Sequence, residues 1–109
     1  DAEWMVEKII NLRIFSNKEG KFDFSLKDVG GEALIISQFT LLGDCAKGRR
    51  PDFSKAMNPR NAAELYDRFV EIFKKKYSHE KVKTGVFQAE MEVDIKNDGP
   101  VTLILNTAE

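Results

Sequence analysis

The feature that most limits how this chain folds is Asn97-Asp98-Gly99-Pro100-Val101-Thr102, a tight turn set between two alternating apolar runs. Phe87, Ala89, Met91, Val93 and Ile95 lead into it, and Val101, Leu103 and Leu105 lead out, which is the period of strands buried on one face. Asp-Gly is a strong hairpin signal, because glycine reaches positive φ without steric cost. A proline directly after it removes a ladder donor and restricts Gly99 as well. X-Pro is also the one linkage at which a cis peptide is cheap, about 0.5–1 kcal/mol above trans, so Gly99-Pro100 can aim its carbonyls as an ordinary turn cannot. The plain alternative is a hairpin that tolerates a proline at its edge.

A chain of 109 residues has room for one core and not two, so a single domain over residues 1–109 is expected. With 42% hydrophobic and 32% charged residues it reads as globular, not disordered. No apolar run approaches the roughly 20 residues that span a bilayer, and no basic-then-apolar leader is seen. The single Cys45 has no partner for a disulfide or a zinc site, which favours a reducing compartment and a cytoplasmic location. Because the first residues, Asp1-Ala2-Glu3-Trp4, already read as helix and lack a methionine, further residues are expected to precede them. The net charge of −1 hides an uneven distribution. Lys47 to Arg60 carries five basic residues against Asp52, and Lys74 to Lys83 carries five against Glu80, a local +4 each. The remainder sums to −9, so contact with a polyanion is expected at these two surfaces; the alternative is two solvated loops.

Met5, Ile9 and Leu12 recur at helical spacing, widened by Ala2, Val6 and Ile10, and predict an amphipathic helix to about Arg13 flanked by Trp4 and Phe15. A polar turn at Asn17–Lys21 precedes a short strand at Phe22 and Phe24, and Gly30-Gly31 breaks the chain again. Ala33 to Phe39 is nearly all apolar in its first part, as a central strand buried on both faces would be. That strand turns polar at Ser37, Gln38 and Thr40, whose groups must find partners in the protein or in a ligand. Gly43 to Asn58 is a long loop of the kind that is functional or disordered. Asn58-Pro59 is a cap followed by a first-turn proline, and Leu65 or Tyr66, Phe69, Val70 and Phe73 continue a helix to about Tyr77. The order of elements predicts an α+β fold: a mixed or antiparallel, barrel-like sheet with two helices packed on one side.

The residues exclude several chemistries. A serine or threonine nucleophile needs a base, and the one histidine, His79, sits beside Ser78 and Glu80 past a lysine-rich helix end, where a solvent-exposed role is expected. Cys45 has no histidine placed by a motif, no metal-ligand spacing is present, and Gly30-Gly31 lacks the spacing of a phosphate loop. What remains is a site of backbone donors and hydroxyls, which can stabilise an oxyanion without a titrating side chain. No cofactor or metal is expected.

Ser37-Gln38-Phe39-Thr40-Leu41 and Asn97-Asp98-Gly99-Pro100-Val101-Thr102, in this order, resemble the paired signature motifs of the D-aminoacyl-tRNA deacylases, also called D-tyrosyl-tRNA deacylases. The resemblance extends along the chain through Asn11–Phe15, Lys47–Phe53, Thr84–Phe87 and Met91. It implies a homodimeric hydrolase of the ester between a D-amino acid and the terminal adenosine of tRNA, with the site at the subunit interface. Gly99 and Pro100 would form a cis peptide that reaches into the partner's pocket, where their carbonyls meet the α-amino group and an L side chain is excluded. Glycine on the wrong tRNA would fit too. Ser37, Gln38, Phe39 and Thr40 would form the catalytic wall, with the Phe39 and Thr40 amides as oxyanion donors. Phe87 and Met91 would lie against the adenine. The basic loop, with Lys47, Arg49 and Arg50, is assigned to the tRNA backbone.

Without a base, the Thr40 hydroxyl stays protonated near neutral pH, so activation of water assisted by the ribose 2′-hydroxyl, with Thr40 positioning the ester, is the preferred route. Two departures stand out. Gln88 occupies a position where many members have glycine and is expected to narrow the space behind Phe87. Members of the family also begin with further strands before the opening helix. Two rival functions predict different behaviour: a non-catalytic dimer bound to DNA or tRNA through the basic patches, with steep salt dependence, and a plain dimerisation module indifferent to Gly99.

Overall fold

A computed structural model describes residues 1–107. The first element is α1, Ala2–Asn11, whose chain turns extended at Leu12. Two short strands follow, β1 at Phe15–Ser16 and β2 at Phe22–Phe24, paired antiparallel with Phe15 opposite Phe24. Arg13 ties the pair to the helix exit: its Nε donates to the Asp23 carbonyl at 2.9 Å and its guanidinium lies 2.6 Å from Asp23 Oδ1. A one-turn helix, α2 at Leu26–Val29, has no counterpart in the expectations above. It exists because Ser25 and Asp28 form a capping box: the Asp28 N–H donates to Ser25 Oγ, and the Ser25 N–H donates to Asp28 Oδ2. Gly30 closes it at φ 65°, a left-handed conformation glycine adopts without strain.

β3, Ala33–Ile35, runs parallel to β4, Val82–Thr84, with Ala33 opposite Val82 and Ile35 opposite Thr84. Between them lie a 3-10 turn at Phe39–Leu42, the long loop, and α3 at Pro59–Lys76. A parallel pair needs such a crossover, and α3 supplies it. The α3 start is as the sequence predicts: the Asn58 side chain accepts from the Asn61 N–H at 2.9 Å and Pro59 occupies the first turn. The core gathers Val6 and Ile10 from α1, Leu26 from α2, Phe73 from α3 and Val82 from β4. Phe69 and Tyr77 flank Phe73 with ring centroids 6.1 and 6.4 Å away.

The α+β class is thus observed, with one antiparallel and one parallel pair, but the strands stay in two separate two-stranded sheets and do not close as a barrel among the described residues. Three further expectations change. The strand expected from Ala33 to Phe39 stops at Ile35 and is not buried on both faces, since Leu34 is 59% exposed. The most buried line of α1 is Val6 and Ile10, with Met5, Ile9 and Leu12 half-buried beside it and Trp4 exposed. The expected ladder between Phe87–Ile95 and Val101–Leu105 is not formed; no strand is present from residue 85 to residue 107. The expected half-burial is absent from the lead-in, where Ala89, Met91, Val93 and Ile95 are exposed, and only the lead-out keeps a common side. Val101, Leu103 and Leu105 face Met5, Ile9, Leu12 and Ile14 across an open groove. A two-stranded hairpin is marginal unless one face packs against something, and here an open groove lies between the lead-out and Met5 and Ile9 of α1 with Leu12 and Ile14 beyond it.

Candidate active site

Beyond Ile35 the backbone leaves the sheet and folds into the Phe39–Leu42 turn, which closes with the Gly43 N–H donating to the Thr40 carbonyl at 3.0 Å. The N–H groups of Phe39 and Thr40 open this turn and so have no acceptor within it. Of the four residues predicted here, Ser37 is half-buried, whereas Gln38, Phe39 and Thr40 are exposed. The Gln38 side-chain amide donates to the Thr40 hydroxyl. No histidine or carboxylate is hydrogen-bonded to that hydroxyl among the described residues. Thr40 Oγ1 is therefore an acceptor toward Gln38 and keeps its own proton to donate elsewhere.

The long loop is ordered by its own base. Asp44 and Asp52 form an antiparallel bridge with N–H to carbonyl distances of 2.7 and 2.9 Å. Their side chains also accept backbone donors, Asp44 from Ala46 and Asp52 from Ser54. The Ser54 N–H and hydroxyl hold the Asp52 carboxyl below its ordinary range. The loop carries Lys47, Arg49 and Arg50, all exposed, and none forms an ion pair among the described residues. Just after the bridge, Phe53 packs edge-on against Phe39 with ring centroids 4.9 Å apart. Gly43 permits this approach, because a Cβ there would stand 2.8 Å from Phe53 Cε1. The basic loop and the Phe39–Leu42 turn are thereby one unit. Phe53 closes the Lys47–Phe53 motif, yet its packing on Phe39 was not read from the sequence.

Across β4 lies the second group. The Gly85 N–H donates to the Ile35 carbonyl at 3.1 Å, carrying the β3–β4 pairing one step past Thr84. Met91 folds back so that its sulfur accepts from the Val86 N–H at 3.4 Å, and a Cβ on Gly85 would meet that sulfur at 2.7 Å. Phe87 sits at the corner of a turn closed by the Ala89 N–H donating to the Val86 carbonyl at 3.2 Å. Gln88 takes the left-handed position of that turn, at φ 62°. This explains why glycine suits the position, and it corrects the expected narrowing behind Phe87, since the Gln88 side chain is exposed.

Gly99-Pro100 is cis, and Gly99 and Pro100 are both exposed. No hydrogen bond among the described residues joins either of them to Ser37–Thr40. Two shallow concavities lie elsewhere, one beside Trp4 and Arg13 along α1, the other the apolar groove described above. Among the described residues no group of three or more His, Cys, Asp or Glu side chains could hold a metal ion, and no helix is long and apolar enough to cross a membrane.

Fold and site together define an α+β domain that exposes, at the end of a sheet strand, a hydroxyl, an amide and the open backbone of a turn beside a basic loop. A family model described as D-Tyr-tRNA(Tyr) deacylase matches residues 1–106, and the chain belongs to that family. Its relatives include the D-aminoacyl-tRNA deacylase of Natranaerobius thermophilus, 56% identical over 107 residues that cover 98% of this chain and 71% of the relative. The enzyme of the same name from Thermotoga petrophila is 48% identical over 109 residues, covering 100% of this chain and 72% of the relative. A solved structure named c-Myc DNA Unwinding Element Binding Protein superposes with a TM-score of 0.90 at 44% identity, covering 100% of this chain and 73% of that one.

Proposed function

We infer that this chain hydrolyses the ester bond of D-aminoacyl-tRNA, releasing D-amino acid and free tRNA, a proofreading step on charged tRNA. The family and the shared name of the curated relatives support it. At the level of residues, the reading is supported by a Thr40 hydroxyl that no histidine or carboxylate meets among the described residues. A nucleophilic threonine needs a base on its proton, whereas a threonine that accepts from an amide is free to donate to a substrate oxygen. Thr40 positions the ester, the Phe39 and Thr40 N–H groups receive the oxyanion, and Ser37 and Gln38 complete the wall. Water, assisted by the ribose 2′-hydroxyl, is the attacking group.

The remaining assignments rest on the motif resemblance. Gly99 and Pro100 offer carbonyls to the α-amino group of a substrate bound by a second copy, so the working unit is a homodimer with the site at its interface. Such a division accounts for the exposure of Gly99 and Pro100 in the single chain. Phe87 and Met91 take the terminal adenine, and Lys47, Arg49 and Arg50 follow the phosphates. The chain acts as one deacylase domain in the cytoplasm, and glycyl-tRNA is accepted because glycine has no side chain to exclude.

The assay compares D-tyrosyl-tRNA with L-tyrosyl-tRNA. Release of the D amino acid alone is expected; equal release, or none, would overturn the reading. For the mechanism, Thr40→Ala is expected to retain substantial activity, whereas tRNA ending in 2′-deoxyadenosine loses it. The reverse pattern would make Thr40 the nucleophile.

A further inference from the structure

Tyr66 stands on α3, in the core stripe predicted for that helix, yet its hydroxyl reaches out of the helix and donates to the Ile35 carbonyl at 2.8 Å. That carbonyl also accepts the Gly85 N–H at 3.1 Å. One oxygen therefore gathers the end of β3, the residue after β4, and the crossover helix. The two halves of the site leave from this junction: Ser37–Thr40 begins two residues after Ile35, and Phe87 lies two residues after Gly85. The Tyr66 ring also packs against Phe87, with centroids 5.9 Å apart and planes tilted by 44°. Burial pushes the Tyr66 phenol above its ordinary pKa, so the hydroxyl stays a proton donor throughout the neutral range.

We propose that Tyr66 is a positioning residue for the terminal adenosine of the tRNA: its hydroxyl fixes the junction at Ile35, and its ring sets Phe87 against the adenine. The proposal rests on the deacylase reading for the identity of the ligand and goes beyond it in assigning a residue on α3 to substrate placement. Phe87 lies in a turn outside any strand, so no ladder fixes its ring. Its place is decided by what it touches, and Tyr66 is the aromatic partner it has. A phenylalanine at position 66 keeps the ring and removes the hydroxyl. The Ile35 carbonyl retains the Gly85 donor, so such a variant folds.

The test measures deacylation of D-tyrosyl-tRNA by wild type and Tyr66→Phe, and in parallel the binding of uncharged tRNA with and without its terminal adenosine. Expected for Tyr66→Phe is a KM about five- to tenfold higher, the size of one neutral hydrogen bond, with kcat within about twofold. Binding should weaken similarly for tRNA that ends in adenosine and stay unchanged for tRNA that lacks it. In a Phe87→Leu background the added effect of Tyr66→Phe should shrink below about twofold, because the hydroxyl acts on the adenine only through the Tyr66 ring that holds Phe87. An unchanged KM overturns the proposal, as does a fall in kcat alone or equal weakening for both tRNAs. Wild type that fails to release D-tyrosine would sink the deacylase reading, while the binding comparison would still decide the role of Tyr66.

Discussion

Glu7 on α1 and Lys76 on α3 are 69 residues apart in sequence and 2.9 Å apart in space. The hydrogen bond from Lys76 is the largest influence on Glu7 and holds its carboxyl below its ordinary value of 4.5; the same bond raises Lys76 above 10.5. The two helices that carry Val6, Ile10 and Phe73 are thus joined at their polar rims as well as in the core.

The sign of the pH effect follows. A depressed carboxyl contributes stability above its unfolded pKa and loses it as the pH falls through the folded value; a raised amine contributes below its unfolded pKa and loses it only as the pH climbs past the folded value. Glu7→Gln should lower the melting temperature slightly at pH 7, since the Glu7 side chain is 56% exposed and water screens the pair. The difference from wild type should close as the pH is taken down from 4.5 through the depressed value. Thermal unfolding of both proteins, followed from pH 7 down through the ordinary value of 4.5 and below, checks this; a gap that does not narrow below 4.5 refutes it.

Gly43 lies in ordinary backbone, at φ −65°, so an alanine there meets only sterics. Its methyl would stand 2.8 Å from Phe53 and 3.0 Å from the Thr40 carbonyl. Overpacking of this kind costs about 1–3 kcal/mol, and it would be relieved by moving Phe53 off Phe39. Gly43→Ala should therefore lower kcat for D-tyrosyl-tRNA several-fold and lower the melting temperature by about 4–8 °C for each kcal/mol of that cost. Full activity would show that the turn and the basic loop are not coupled.

Lys47, Arg49 and Arg50 make no ion pair among the described residues, which leaves their charge free for phosphates. Arg49→Ala with Arg50→Ala should weaken tRNA binding and reduce the slope of log affinity against log salt by about 0.7–0.9 per lost contact. Turnover at saturating substrate should not change. An unaltered slope removes the loop from the tRNA path.

Gln88 holds a left-handed φ of 62°, which costs a residue with a side chain roughly 1–2 kcal/mol. Glycine would relieve that and give back about 0.5–1 kcal/mol in lost chain entropy. Gln88→Gly should be neutral or slightly stabilising in urea, and Gln88→Val destabilising. Equal losses from both would mean that this conformation is not retained in solution.

Local signals in the sequence settled much of this protein. Asn58-Pro59 started α3 where it should, Phe22 and Phe24 formed a strand, and the alternation at Val101, Leu103 and Leu105 put those residues on one side. Ser25 and Asp28 carried a capping box that was legible and unread. The paired motifs pointed to the family before any coordinate did. Tertiary structure alone decided the rest, because period and capping are properties of neighbours in the chain whereas pairing is not. Nothing in Lys81-Val82-Lys83-Thr84 announces that Val82 enters the core beside Ala33. Nor does a stripe residue such as Tyr66 reveal that its hydroxyl will find Ile35, 31 positions earlier. Such contacts arise when the α3 crossover folds distant segments together, and their geometry is set by packing, which no local pattern encodes.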